Sequence, residues 1–409
     1  MADRRAGALI VGGGVAGAAC AEALVEGGFD ADVLLVGREA DPPYERPPAS
    51  KGYLAGAMAR DACVLHPADW YAERGIELAT RTSVMKLDPA ARTATLSSKE
   101  TVEYGVALLA TGANVRRLRL EGAQLEGVHY LRALGNADAI RAEAGAGARV
   151  VLVGGSYIAC EVAATLTGLG ARCTLVMLED APLSTHFGAT AGAFFAGLLR
   201  DHGVELVVAE QVEGFAGEER VERVACASGL ELEADLVVMG TGAVPDVMLA
   251  RSAGLVLGES GGIACSADLQ TSAPGVWAAG DACEYDSVLH GRPVRIEHFE
   301  VARAQGAAAA RAMLGERRPY AEVPYFWTDL ADWCTAEWVG LGDPPGREVV
   351  RGDPADGAFT VFHLDGPRLV GAVAVGRGED LQHARRLIAE RTDLAGRDAE
   401  LAGGDLDAL

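Results

Sequence analysis

No C-x-x-C pair occurs among the eight cysteines of this 409-residue chain, which stand apart at Cys20, Cys63, Cys160, Cys173, Cys226, Cys265, Cys283 and Cys334. That scatter offers neither a dithiol redox centre nor metal-ligand spacing. Buried reduced thiols and no metal are therefore expected, and disulfide-reductase chemistry is disfavoured. Basic charge is also short. The net charge of −22 argues against nucleic acid or an anionic membrane surface as a partner, since both demand a basic footprint. No apolar run approaches the roughly 20 residues that span a bilayer. ALIVGGG, which reads as a first strand, begins so soon after Met1 that no signal segment fits before it. A soluble cytoplasmic protein is the expectation.

What the chain has in quantity is hydrophobic residues, at 50%, and 52 glycines. Its length exceeds one simple core and implies two or three domains. Residues 7 to 36 read strand, glycine turn, helix, strand, and the plan recurs from Arg149 to Met177. Two βαβ units imply two nucleotide-binding lobes of an α/β fold. TSVMKLDPAARTATLSS and QVEGFAGEERVERVACASGLELEADLVVMG alternate as hairpins do and are expected to form antiparallel sheets attached to each lobe. After Arg318 the texture turns aromatic and proline-rich, then gives strands at FTVFHL and LVGAVAV and an amphipathic helix at DLQHARRLIAE. This reads as a small C-terminal α+β domain ending in a loose tail, AGGDLDAL. The expected division is a discontinuous first domain at 1–115 and 240–320, a second at 116–239 and a third at 321–409.

Gly12, Gly14 and Gly17 complete G-x-G-x-x-G between a strand and a helix. The first permits the tight turn, the second lets the backbone approach a pyrophosphate, and the third lets helix and strand pack closely. The next strand runs into LLVGREADPPYERPPASK, so Arg38 or Glu39 would meet an adenosine ribose. Downstream, TSAPGVWAAGDA ends a strand in Gly280 and Asp281, a pattern that in flavoproteins sets a carboxylate on the ribityl hydroxyls of FAD.

Taken in order, GGGVAGAACAEAL, PYERPPASKGYL, LLATGANVRRL, VVLVGGSYIACEVAATL, VVMGTGAVPD, GVWAAGDAC, RIEHFEVARAQG and VPYFWTDL span nearly the whole chain. In these blocks it resembles the FAD-dependent ferredoxin reductases that serve cytochromes P450 and ring-hydroxylating dioxygenases, a group similar to apoptosis-inducing factor. The resemblance implies two Rossmann-like domains, for FAD and NAD, plus the small C-terminal domain. It places Arg46 near the flavin pyrophosphate, Lys51 at the isoalloxazine edge and Glu161 as the partner of that lysine, with Lys51 and Glu161 the catalytic pair. Glu297, His298 and Phe299 are implied beside the ring system, where the family commonly carries tryptophan at Phe299. Trp327 is expected to serve both core and flavin. Ala110, Thr111 and Gly112 join the cofactor-binding set, as do Gly154, Ser156, Tyr157, Ile158, Glu179 and Gly242.

The second glycine turn departs from the fingerprint. Gly154 stands first, but Ser156 and Ala159 replace the second and third glycines. Alanine is accepted at the third position, and a serine hydroxyl can donate to a phosphate. The following strand ends at Met177 where relatives carry an acidic ribose ligand, with Glu179 or Asp180 close enough to substitute. No arginine follows to receive a 2′-phosphate, which favours NADH over NADPH.

The leading expectation is an NADH-dependent flavoprotein passing electrons to a small iron–sulfur protein, a ferredoxin. An FAD enzyme acting on a small molecule or oxygen and a low-turnover redox-sensing flavoprotein are the alternatives, and the oligomeric state stays open. Because ferredoxins are themselves generally acidic, docking would use a local patch drawn from Arg116, Arg117, Arg119, Arg303 and Arg311.

Overall fold

Five parallel strands order the N-terminal part of the chain around Arg4–Val11, which is flanked by Val33–Val36 and Thr101–Leu109 in a computed structural model that describes residues 2–341 and 346–409. Ile76–Ala79 extends the sheet beyond Val33–Val36. Thr101–Leu109 carries Val276–Ala278 in parallel along its C-terminal half. Its N-terminal half carries the antiparallel hairpin of Val84–Asp88 and Thr93–Leu96. All four residues of VLLV at 33–36 are buried, as a strand covered on both faces requires.

The chain divides into two units. One comprises residues up to Glu45 with Asp61–Asn114 and Ala243–Pro324; the other comprises Arg46–Arg60, Val115–Gly242 and Tyr325–Leu409. In the second unit a parallel sheet runs in the order Glu205–Val207, Arg172–Val176, Arg149–Val153, Leu236–Met239 and Val128–Tyr130. A three-stranded antiparallel sheet from Val212–Ala216, Arg223–Cys226 and Glu231–Glu233 accompanies it, as the alternation predicts, but the LVVM end of that stretch departs from the expectation and is the fully buried parallel strand Leu236–Met239. Tyr325–Leu330, Cys334–Gly340, Arg347–Asp353, Ala358–Asp365 and Arg368–Val375 form a five-stranded antiparallel sheet. The helix Gly378–Ala389 follows.

The C-terminal segment corrects one expectation. AGGDLDAL, residues 402–409, is not a loose tail: it continues the helix Asp398–Gly403, Leu406 within it is buried, and so is Leu401 just before it. Arg351 donates to the carbonyls of Leu401 and Gly404, and Arg386 to that of Leu406, so these backbone acceptors are satisfied from the domain body. Composition misled because one buried leucine, Leu406, seats the segment once Leu401 anchors its start and arginines supply the hydrogen bonds.

No helix among the described residues is long and apolar enough to cross a membrane. In the first unit, helices Val15–Glu26 and Phe299–Met313 pack so closely that a Cβ on Gly306 would lie 2.1 Å from the carbonyl oxygen of Ala16. Gly306→Ala must force the helices apart, at a cost of about 1–3 kcal/mol. Urea unfolding is expected to show a lowered midpoint with an unchanged slope, and a wild-type midpoint would refute the close contact.

Candidate functional site

Both parallel sheets present their glycine turns at the C-terminal ends of the strands, where open α/β sheets hold ligands. In the first unit the three fingerprint glycines have different reasons for being glycine. Gly12 has φ +125°, and a Cβ there would meet the Ala110 oxygen at 2.0 Å; one on Gly17 would meet the Gly12 oxygen at 2.0 Å. Those two are demanded by the protein itself. A Cβ on Gly14 would meet nothing within 4 Å, so protein packing does not explain that glycine, whereas the approach of a phosphate group does. Gly14 is the N-cap of Val15–Glu26 and offers no side-chain acceptor to its first-turn N–H groups. The turn therefore fits the pyrophosphate of a dinucleotide.

Around it, the Thr111 hydroxyl donates to the Asp246 carbonyl at 2.6 Å, and the Asp246 N–H donates to Gly112. Arg38 is paired with Asp246 at 3.1 Å and donates to Asn114 at 2.8 Å, while Glu39 accepts from the Tyr44 hydroxyl at 2.6 Å. Gly280, with φ +75°, sets the turn before Asp281, and its N–H donates to the buried Gln305. Arg295 donates from one nitrogen to both the Asp281 carbonyl and the Glu297 carboxylate. His298 is the N-cap of Phe299–Met313, and Phe299 begins that helix. Gln305 and Arg295 are thus anchors for expected site residues that the sequence reading left unnamed. The cue for both was proximity in sequence to RIEHFE.

The second unit holds the expected ion pair. Lys51 Nζ lies 2.7 Å from Glu161 Oε2; the Glu161 side chain is 4% exposed and that of Lys51 18%. Glu161 sits in the helix Tyr157–Gly168, and Lys51 follows the short helical turn Pro47–Ser50 whose prolines preset its shape. Ser50 and Thr328 also donate to the carboxylate, at 2.5 and 2.6 Å; neither was singled out in the sequence. Arg46 donates to the Arg132 carbonyl at 2.8 Å. In Tyr325–Leu330 the strand alternation turns Phe326, Thr328 and Leu330 inward and leaves Trp327 half-buried on the other face. The core place expected of Trp327 falls to Phe326, which packs edge-on against Tyr157. Burial raises the Tyr157 phenol well above its ordinary range, and the neighbouring Glu161 carboxylate adds to the effect.

At the second glycine turn, Gly154 has φ +109° and abuts the Gly240 carbonyl. The Ser156 hydroxyl donates to that same carbonyl at 2.9 Å and caps the helix by accepting from the Ala159 N–H. A hydroxyl has one proton, so here it is committed to Gly240 and not turned to a phosphate. Ala159 is accommodated because residue 240 is glycine: a Cβ there would lie 2.7 Å from that of Ala159. Met177 is buried, whereas the Glu179 carboxylate reaches back to the turn, 3.2 Å from where a Cβ on Gly155 would sit. Ile158 is partly exposed on the first helical turn, and Gly242 takes φ +86° after the neighbouring strand.

All eight cysteines are free and seven are buried. Burial pushes Cys334, the least buried, up to about 11, so it stays a thiol at neutral pH.

The first turn generates a paired prediction. Gly14→Ala, placed in open space at an ordinary φ, should leave the unfolding midpoint of the flavin-free protein unchanged while FAD retention, read from absorbance at the flavin band, falls by on the order of tenfold or more. Gly17→Ala should lower the midpoint itself. Equal flavin retention in Gly14→Ala and wild type would remove the ligand explanation for Gly14.

The pyridine nucleotide-disulphide oxidoreductase family model matches residues 7–306, and the reductase C-terminal model matches residues 325–407. The chain is 36% identical to the ferredoxin reductase subunit of a 5,5′-dehydrodivanillate O-demethylase from Sphingobium sp., covering 94% of this chain and 93% of that one. Its structure resembles that of a ferredoxin reductase for the CYP199A2 system from Rhodopseudomonas palustris, with TM-score 0.93, 30% identity and 99% of each chain covered. It also resembles putidaredoxin reductase in a covalent complex with putidaredoxin, with TM-score 0.90, 32% identity and 98% of each covered. An uncapped glycine turn fit for a dinucleotide, a second, serine-capped glycine turn in its own parallel sheet and these likenesses agree that the chain belongs to the pyridine nucleotide-disulphide oxidoreductase family and, within it, to the ferredoxin reductases.

Proposed function

We propose that this reductase carries FAD on residues 1–115 and 240–320, takes NADH in preference to NADPH on residues 116–239, and reduces a small iron–sulfur protein of an oxygenase system in the cytoplasm, with 321–409 as the third domain. The observation that carries the reading is the Lys51–Glu161 pair, a cation fixed on a buried carboxylate with part of its side chain still open. When bound, FAD would supply the redox chemistry, hydride acceptance and one-electron release, that no side chain here provides.

The residues supply binding and electrostatics. Gly12, Gly14 and Gly17 receive the flavin pyrophosphate with Arg46 near it, while Arg38 or Glu39 meets the adenosine ribose and Asp281 the ribityl hydroxyls. Ala110, Thr111 and Gly112 line the same cofactor. Glu297, His298, Phe299 and Trp327 serve the ring system. Lys51 contributes a fixed positive charge that favours the reduced cofactor, and Glu161 keeps that charge in place.

For the nicotinamide nucleotide, Gly154, Ser156, Tyr157, Ile158 and Gly242 form the binding surface. Glu179 is supported as the ribose ligand by its position over the turn, where a carboxylate accepts from ribose hydroxyls and repels a 2′-phosphate. Stopped-flow reduction should be faster with NADH than with NADPH. Glu179→Ala should weaken NADH binding and narrow that preference, while Ser156→Gly, which frees the Ala159 N–H for phosphate, should leave NADH binding unchanged or tighter. An NADPH preference untouched by Glu179→Ala would defeat the ribose assignment.

The acceptor is proposed to dock through Arg116, Arg117, Arg119, Arg303 and Arg311, all exposed, in contrast with the chain's net charge of −22. Arg117 lies over the Tyr130 ring at 4.9 Å, and Arg303 has only a 3.9 Å contact to Glu300. Added salt should weaken productive association, because screening over a Debye length of about 10 Å at 0.1 M acts on the attraction. Arg303→Glu should raise the KM for an acidic ferredoxin severalfold and leave flavin reduction by NADH intact. No change in that KM, for Arg303→Glu or Arg311→Glu, would place docking elsewhere.

A further inference from the structure

Glu161 accepts from more than its lysine. Its Oε2 takes Lys51 Nζ at 2.7 Å and the Ser50 hydroxyl at 2.5 Å, and its Oε1 takes the Thr328 hydroxyl at 2.6 Å. Thr328 is wholly buried, Ser50 is 2% exposed and Glu161 3%, so water has no room to replace a lost donor. Thr328 lies on a strand face whose other members, Phe326 and Leu330, are apolar. Packing alone would be met there by valine, and a buried hydroxyl needs a partner, which is the carboxylate.

We propose that Thr328, contributed by the reductase C-terminal domain, is a positioning residue for the Lys51–Glu161 pair, with Ser50 its counterpart on the other oxygen. The inference rests on the reading of Lys51 as the flavin-side cation given above.

A carboxylate free to rotate would offer both oxygens to the lysine and draw its charge inward. Oε1 is held by Thr328, while Lys51 and Ser50 meet at Oε2. Residue 50 is itself fixed, because Thr165, one helical turn beyond Glu161, donates to the Ser50 carbonyl at 2.8 Å. The lysine is therefore held by one oxygen of a carboxylate that cannot turn, and the rest of its charge stays available to a ligand. The C-terminal domain thereby reaches the electrostatics of the redox site through one hydrogen bond to a charged group, the strong kind.

The test compares Thr328→Val, Thr328→Ser, Ser50→Ala and Lys51→Ala in the FAD-loaded protein by flavin midpoint potential and stopped-flow reduction by NADH. Thr328→Val should move the potential to more negative values, in the direction of Lys51→Ala, and slow reduction by on the order of tenfold. Thr328→Ser, which keeps the hydroxyl, should restore both, and Ser50→Ala should shift the potential the same way as Thr328→Val. If Lys51→Ala lowers the potential while Thr328→Val and Ser50→Ala keep the wild-type value, the positioning role is overturned and the lysine reading stands. If Lys51→Ala itself leaves the potential unchanged, the lysine reading falls first. A lowered Tm in Thr328→Val without a shift in potential, or failure of Thr328→Ser to restore it, would reduce Thr328 to packing. Should Thr328→Val not fold, a wild-type potential in Ser50→Ala overturns the proposal.

Discussion

A carboxylate almost sealed from water is the constraint on which much of the second unit turns. Losing hydration costs a charged group several kcal/mol in practice, and the loss is tolerable only with close opposite charge and hydrogen-bond donors. Glu161 finds them in stretches 111 and 167 residues away in sequence, Ser50 and Thr328, and in Lys51. This explains why Arg46–Arg60, which interrupts the first unit in sequence, is assigned to the second. Its serine and lysine are tied to the helix that carries Glu161, its backbone accepts from Thr165, and its arginine donates to the Arg132 carbonyl. Breaking one member would strand a buried charge, so the segment is held more firmly than its turn-rich composition implies.

The glycine turns, both βαβ units, the hairpins and the C-terminal strands Ala358–Asp365 and Arg368–Val375 were legible, because period-two and period-3.6 patterning and φ-demanding glycines are local signals, whereas Tyr325–Leu330, Cys334–Gly340 and Arg347–Asp353 went unread as strands. The Lys51–Glu161 pair was legible only through family resemblance, since a lone glutamate on a helix ordinarily faces water. Thr328 and Ser50 were not legible, because each matters through a hydrogen bond to the distant Glu161 that leaves no periodic trace, whereas Gln305 and Arg295 lie within RIEHFEVARAQG and were passed over there. Ser156 shows a subtler limit. Its identity was conspicuous, but whether its hydroxyl faces a ligand or the Gly240 carbonyl depends on where a neighbouring strand ends. The C-terminal tail was misread for the same reason: its seat is built by Arg351 and Arg386, far outside the segment.

The two glycine turns also differ in what they leave open to a phosphate. At Gly14 the helix begins without a side-chain cap and with open space above it, so its first-turn N–H groups are available to an anion. At Ser156 the cap already consumes the Ala159 N–H, and the Glu179 carboxylate lies against the turn. A donor withheld from a phosphate is worth about 0.5–1.5 kcal/mol, or roughly a factor of two to ten in affinity. The second turn therefore offers a phosphate fewer free donors than the first, and the serine that looks like damage to a fingerprint is engaged by the protein's own backbone.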